Sequence, residues 1–79
     1  MPTFERITFD PAVMGGKPCI RGMRVTVGMI LGLLAAGRSA DEVLQLYPYL
    51  QREDILAALA FAAEMLREEE YIAVHKSAA

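Results

Sequence analysis

The chain has 79 residues, room for one small domain, and 54% of them are apolar, too many for a disordered chain. The net charge is −2, and a single Cys (Cys19) with a single His (His75) excludes an internal disulfide framework and a Cys/His zinc site built from one chain. No charged leader precedes an apolar stretch, and the longest charge-free run, Val25 to Gly37, is 13 residues, too short to span a bilayer. The expectation is a soluble cytoplasmic protein with no membrane partner, its lone thiol suited to a reducing compartment.

Phe4, Ile7 and Phe9 favour an extended start, which Asp10-Pro11 turns. Gly15-Gly16 breaks the chain again before a short strand over Lys17 to Ile20, where Pro18 predicts edge or irregular pairing. Arg21-Gly22 makes a further turn, and Met23 to Val25 lead out. A first helix is expected from Thr26, as N-cap, through Ala36, with Gly37 at the left-handed position that ends it. Ser39-Ala40-Asp41-Glu42 is a capping box opening a second helix, which Pro48 ends by Tyr47.

The third helix is expected to start near Gln51 or Arg52 and to run to about Glu70, with Ile55, Leu59, Ala62 and Leu66 as its core stripe. Ala57 to Ala63 is apolar throughout and, at about 100° per residue, surrounds the helix. Two short helices cannot cover all of it, so a homodimer is expected, with Ala57, Ala60 and Phe61 at its interface. The chain divides into a β arm (1–25), a three-helix unit (26–70) and a tail (71–79) within one domain.

Charge is unevenly placed. Residues 1–38 carry five basic and two acidic groups, a balance of +3, and residues 39–79 carry three basic and eight acidic, a balance of −5. An anion-binding surface therefore belongs to the N-terminal half. Lys17, Arg21 and Arg24 form its basic cluster, and two readings stand. Either Gly15-Gly16 and Gly22 let backbone amides approach phosphates that the cations neutralise, or the glycines make turns and the cations are solvated or paired with Asp10. Gln51 and Arg52, at the start of the third helix, suit the reading of adenine and guanine edges. Glu53 and Asp54 beside them repel phosphate, and their plainer role is to complement the positive helix N-terminus.

Gly28 and Gly32 line one face of the first helix with Ala35 or Ala36, read as close core packing. Cys19 reads as a small buried residue and His75 as solvated. Asp41-Glu42, Glu53-Asp54 and Glu68-Glu69-Glu70 sit at helix ends without metal-ligand spacing, so no enzyme, metal or cofactor is expected. Glu68, Glu69 and Glu70 can instead mimic phosphates for a basic protein groove, with Tyr71, Ile72 and Val74 as apolar anchors beyond them.

The run Gly15-Gly16-Lys17-Pro18-Cys19-Ile20-Arg21-Gly22-Met23-Arg24-Val25, after Asp10-Pro11, resembles the bacterial domain-of-unknown-function family numbered four hundred and thirty-three. Ala35-Ala36-Gly37, Ser39 to Glu42, Tyr47-Pro48-Tyr49-Leu50 and Glu53-Asp54-Ile55 continue the likeness over about residues 5–66. Met23 departs from it, standing where the family usually has Thr. The resemblance implies a mainly α fold, a homeodomain-like helix-turn-helix unit of three helices with a short N-terminal β arm or hairpin. It also implies a VapB-type antitoxin role: a homodimer that binds a PIN-like ribonuclease toxin and contacts operator DNA. The alternative is a dimeric protein-interaction module without DNA binding. An enzyme with its site between subunits is a distant third.

Overall fold

A computed structural model describes residues 4–67. The elements in chain order are β1 (Ile7–Thr8), a 3-10 turn (Met14–Gly16), β2 (Cys19–Ile20), α1 (Val27–Ala35), α2 (Ala40–Leu46) and α3 (Arg52–Met65). The chain is thus mainly α, three helices carrying a short N-terminal hairpin.

The hairpin is minimal and tightly fixed. β1 and β2 pair antiparallel, Ile7 opposite Ile20 and Thr8 opposite Cys19, so that both isoleucines enter the core. The other edge of β2 is also used. Ile20 donates its N–H to Val25, Cys19 bridges Thr26, and Val27 donates to the carbonyl of Pro18. The sheet has two strands, and the pairing on the far side of β2 is of the irregular kind that Pro18 led one to expect. Pro18 is tolerated because it stands one residue before the strand and contributes only its carbonyl.

Ile20 and Met23 close a two-residue turn, with the Met23 N–H donating to the Ile20 carbonyl at 2.8 Å. Its central residues Arg21 and Gly22 have φ of 45° and 74°, the positive values that match strand twist in a tight hairpin. Glycine adopts this at no steric cost, whereas Arg21 does not, so its position must be held by other contacts. The Thr8 hydroxyl supports the turn by accepting from the Gly22 N–H at 2.8 Å.

Each helix boundary has a local cause. The Thr26 hydroxyl accepts from the Met29 N–H at 3.0 Å and starts α1. Gly37, at φ 95°, ends it in a Schellman arrangement, with Gly37 donating to Leu34 and Arg38 to Leu33. Ser39 and Glu42 make the expected reciprocal box at 3.1 and 2.9 Å, and that bond to the Ser39 backbone holds the Glu42 carboxyl below its ordinary pKa.

α3 differs from expectation at its far end. It stops at Met65, with Leu66 as C-cap, rather than running to about Glu70. By then the helix has left the core, since Met65 and Leu66 are both exposed and, among the described residues, nothing packs on them to sustain another turn. Its buried stripe is also displaced. Asp54, Ile55 and Ala58 are buried with Phe61 and Ala62 half-buried, while Leu59 and Leu66 of the expected stripe face outward. Ala58 is fully enclosed within the core cluster. The core is completed by Ile7, Ile20, Val25, Val27, Ile30, Val43 and Leu50.

The Ser39 cap joins α1 to α2 without slack, and Ser39→Ala is expected to lower the unfolding free energy by about 1 kcal/mol. Urea titration reads this directly. An unchanged midpoint and slope would mean that solvent replaces the cap at no cost.

Candidate functional site

The first turn of α3 faces the hairpin, and Asp54 stands where they meet. Its side chain is 0% exposed. Every oxygen is engaged: Oδ1 accepts from Arg6 at 2.8 Å and from Arg21 Nε at 3.0 Å, and Oδ2 accepts from a second Arg21 nitrogen at 2.9 Å. Oδ2 also accepts the Gln51 backbone N–H at 2.8 Å, so the same carboxylate caps its own helix. Arg21 grips it with two nitrogens and donates further to the Tyr49 carbonyl. Arg6 is shared with the Gln51 side-chain oxygen at 2.8 Å.

Electrostatics follow from this arrangement. Burial by itself pushes the Asp54 carboxyl up, but the bonds from Arg21, the Gln51 backbone and Arg6 outweigh it and bring its pKa from 3.8 to about 2. The bond to Asp54 in turn raises the Arg21 pKa above its ordinary value. Both guanidiniums are about a third exposed, 35% and 36%, so the cluster is dry at the carboxylate and wet at the cations.

The residues expected to meet nucleic acid are therefore not equivalent. Lys17 and Arg24 are exposed and, among the described ion pairs, neither has a partner. Arg21 belongs to Asp54, not to Asp10, whose carboxylate instead accepts the Ala12 N–H. Gln51 is drawn to Arg6, and Arg52 pairs with Asp41 of α2. Lys17, Arg21 and Arg24 thus include two free cations and one structural one. Met23, in the family's Thr position, packs half-buried against the core. Cys19 is buried as expected.

Of the expected dimer residues, Phe61 packs within its own chain, edge-on to Phe4 at 5.5 Å and tilted against Phe9 at 5.7 Å. Ala57 is half-buried, and of the three only Ala60 is exposed. Around Ala60 lies an apolar face: Leu56, Leu59 and Leu66 are 59%, 43% and 77% exposed, with Ala63 open between them. Gly28 and Gly32 are exposed too, contrary to the close core packing expected, because the α3-facing side of α1 is carried by Val27 and Ile30. A shallow surface depression lined by Phe4, Glu5, Arg6 and Ala57 adjoins the cluster. Among the described residues no acidic, His and Cys side chains group as metal ligands, and no helix is long and apolar enough to cross a membrane. Glu68, Glu69, Glu70, Tyr71, Ile72 and His75 lie outside the described residues.

Residues 7–62 match the family described as Protein of unknown function (DUF433). The chain belongs to that family. The match takes in both strands, all three caps, Arg21 and Asp54, and it ends before Leu66. An uncharacterized protein of Sinorhizobium fredii (strain NBRC 101917 / NGR234), y4eO, is 38% identical over 58 residues. That stretch is 73% of this DUF433 chain but 26% of y4eO, so the chain spans about a quarter of that relative's length. No solved structure matches.

The role of Asp54 as buried partner to two arginines was missed by the sequence reading, which placed it at the helix N-terminus for its charge alone. The one available signal was its position three residues after Gln51, the spacing of a cap. Removing the charge tests the arrangement. Asp54→Asn is expected to lower stability by roughly 2–3 kcal/mol, below the cost of a fully buried pair because the arginines can turn to water. The pH dependence has a definite sign. With its pKa depressed in the folded state, Asp54 contributes stability in full above about pH 4, and that contribution is lost as pH falls towards 2. Thermal melts at pH 6 and pH 2.5 should therefore differ more for the native chain than for Asp54→Asn. Equal acid sensitivity would place the coupling elsewhere.

Proposed function

We propose that this chain is an antitoxin-like component of a toxin–antitoxin pair, a binding protein that neutralises a PIN-like ribonuclease by occupying its active-site groove. The observation that carries the binding-protein part of this reading is the open apolar face of α3. Leucines exposed in a row, on a chain this small, are a surface to be covered by protein. The acidic run Glu68, Glu69 and Glu70, with Tyr71 and Ile72, is the segment proposed to enter the nuclease groove, its carboxylates standing for RNA phosphates. The family resemblance supports the choice of nuclease. The cytoplasm is its proposed compartment, where one buried thiol is stable.

Operator binding is the second part of the proposal and falls to the arm. Lys17 and Arg24 are open cations in the half of the chain with positive balance, suited to phosphate contact. One observation favours the alternative of an interaction module without DNA binding: Arg21, Gln51 and Arg52, the remaining candidates, are already engaged within the chain. The two parts separate experimentally. Truncation after Arg67 is expected to leave folding intact and to abolish protection of cells expressing the nuclease of the adjacent reading frame. Protection by the truncated chain would remove the tail from the mechanism.

For DNA, Lys17→Ala and Arg24→Ala should each weaken binding to duplex uniformly across sequences and reduce the salt slope by about one. Arg21→Ala should instead lower the melting temperature. Filter binding across a salt series, run beside thermal melts, reads both. Native chain that binds no duplex at low salt selects the alternative.

A further inference from the structure

The open face of α3 raises the question of its occupant. We infer that a second copy of this chain covers it, with the two α3 helices antiparallel about a two-fold axis beside Ala60. The inference rests on the reading of that face as a protein-docking surface and names the protein.

Leu56, Leu59, Ala63 and Leu66 follow one another at steps of three, four and three, the seam that keeps one helix in contact with another. All four are exposed, although Leu66 lies one residue past the helix. In an antiparallel pair the seam closes on itself. Leu56 meets Leu66 of the second copy and Leu59 meets its Ala63, and each contact occurs twice by symmetry. Large residues face small ones at the inner layers. The two Ala60 residues meet across the axis, where the absence of larger side chains allows close approach.

Charge decides between orientations. Beside the seam Glu53 and Ala60 begin a second row at an interval of seven, which Arg67, two residues past the helix, continues. The register that sets Ala60 against Ala60 also sets Glu53 against Arg67 of the second copy, once at each end. Both side chains are exposed. Among the described residues Glu53 has no ion partner, and Arg67 has only a long 3.8 Å contact to Glu64. A parallel pair would gather both Arg67 residues at one end and both Glu53 residues at the other, and would set Ala63 on Ala63. The face is thus complementary to itself in one orientation, a property that a foreign partner does not require.

Sedimentation equilibrium of the full chain with no nuclease present tests this apart from the antitoxin reading. The native chain should sediment as a dimer. Ala60→Glu, at a position exposed in the protomer, should sediment as a monomer with its helical circular dichroism unchanged. Glu53→Lys should weaken the dimer roughly tenfold, and adding Arg67→Glu to the same chain should restore it, because the exchanged charges still face each other. A native monomer at about 100 µM overturns the inference, as does a dimer that Ala60→Glu leaves intact. A double variant no tighter than Glu53→Lys alone overturns the antiparallel register. A monomer that still neutralises the nuclease faults this inference only, and a dimer that does not neutralise faults the antitoxin reading only.

Discussion

The structure depends on one carboxylate. Asp54 is the point at which the hairpin, the α2–α3 turn and the third helix are joined, through Arg6, Arg21, the Gln51 backbone and, by way of Arg21, the Tyr49 carbonyl. An enclosed carboxylate is costly unless every oxygen is bonded, and here none is left without a partner. That requirement explains why Arg21 occupies a positive-φ position a bulky residue ordinarily avoids. The turn aims its guanidinium at Asp54, and the paired hydrogen bonds offset the backbone strain.

The same arrangement divides the arm's cations by role. Arg21 belongs to the fold and is unavailable as a simple phosphate contact. Lys17 and Arg24, a few residues to either side, face water on a segment that β2, the Thr8 hydroxyl and the Val27 N–H hold in place. Under the proposed operator contact, a charge on so fixed a backbone would meet a phosphate without the entropy cost of ordering a loop.

α3 has two apolar faces, and the chain itself buries only one of them. One face, Ile55, Ala58, Phe61 and Ala62, closes the core of the chain. The other, Leu56, Leu59, Ala60 and Ala63, stays outside it. A domain of this size leaves a large share of its surface unburied, and a single layer of helices cannot cover a helix on all sides. The apolar run from Ala57 to Ala63 is the sequence trace of that shortage.

Much of the architecture was legible in the residues themselves. Thr26, Gly37, Ser39 with Glu42, and Pro48 set helix boundaries through hydrogen bonds and backbone geometry that reach only a few residues along the chain, so their meaning survives without a tertiary context. The all-apolar run likewise announced that α3 carries apolar residues on more than the side that faces the core. What the sequence could not disclose were relations across long separations. Asp54 lies 48 residues from Arg6 and 33 from Arg21, and nothing local distinguishes a cap carboxylate facing water from one that binds two arginines. The core stripe of α3 was likewise assigned by spacing, yet spacing defines a face without saying which direction the neighbours lie. The docking of α3 onto the core through Ile55, Ala58 and Phe61 made that choice and turned Leu59 and Leu66 outward.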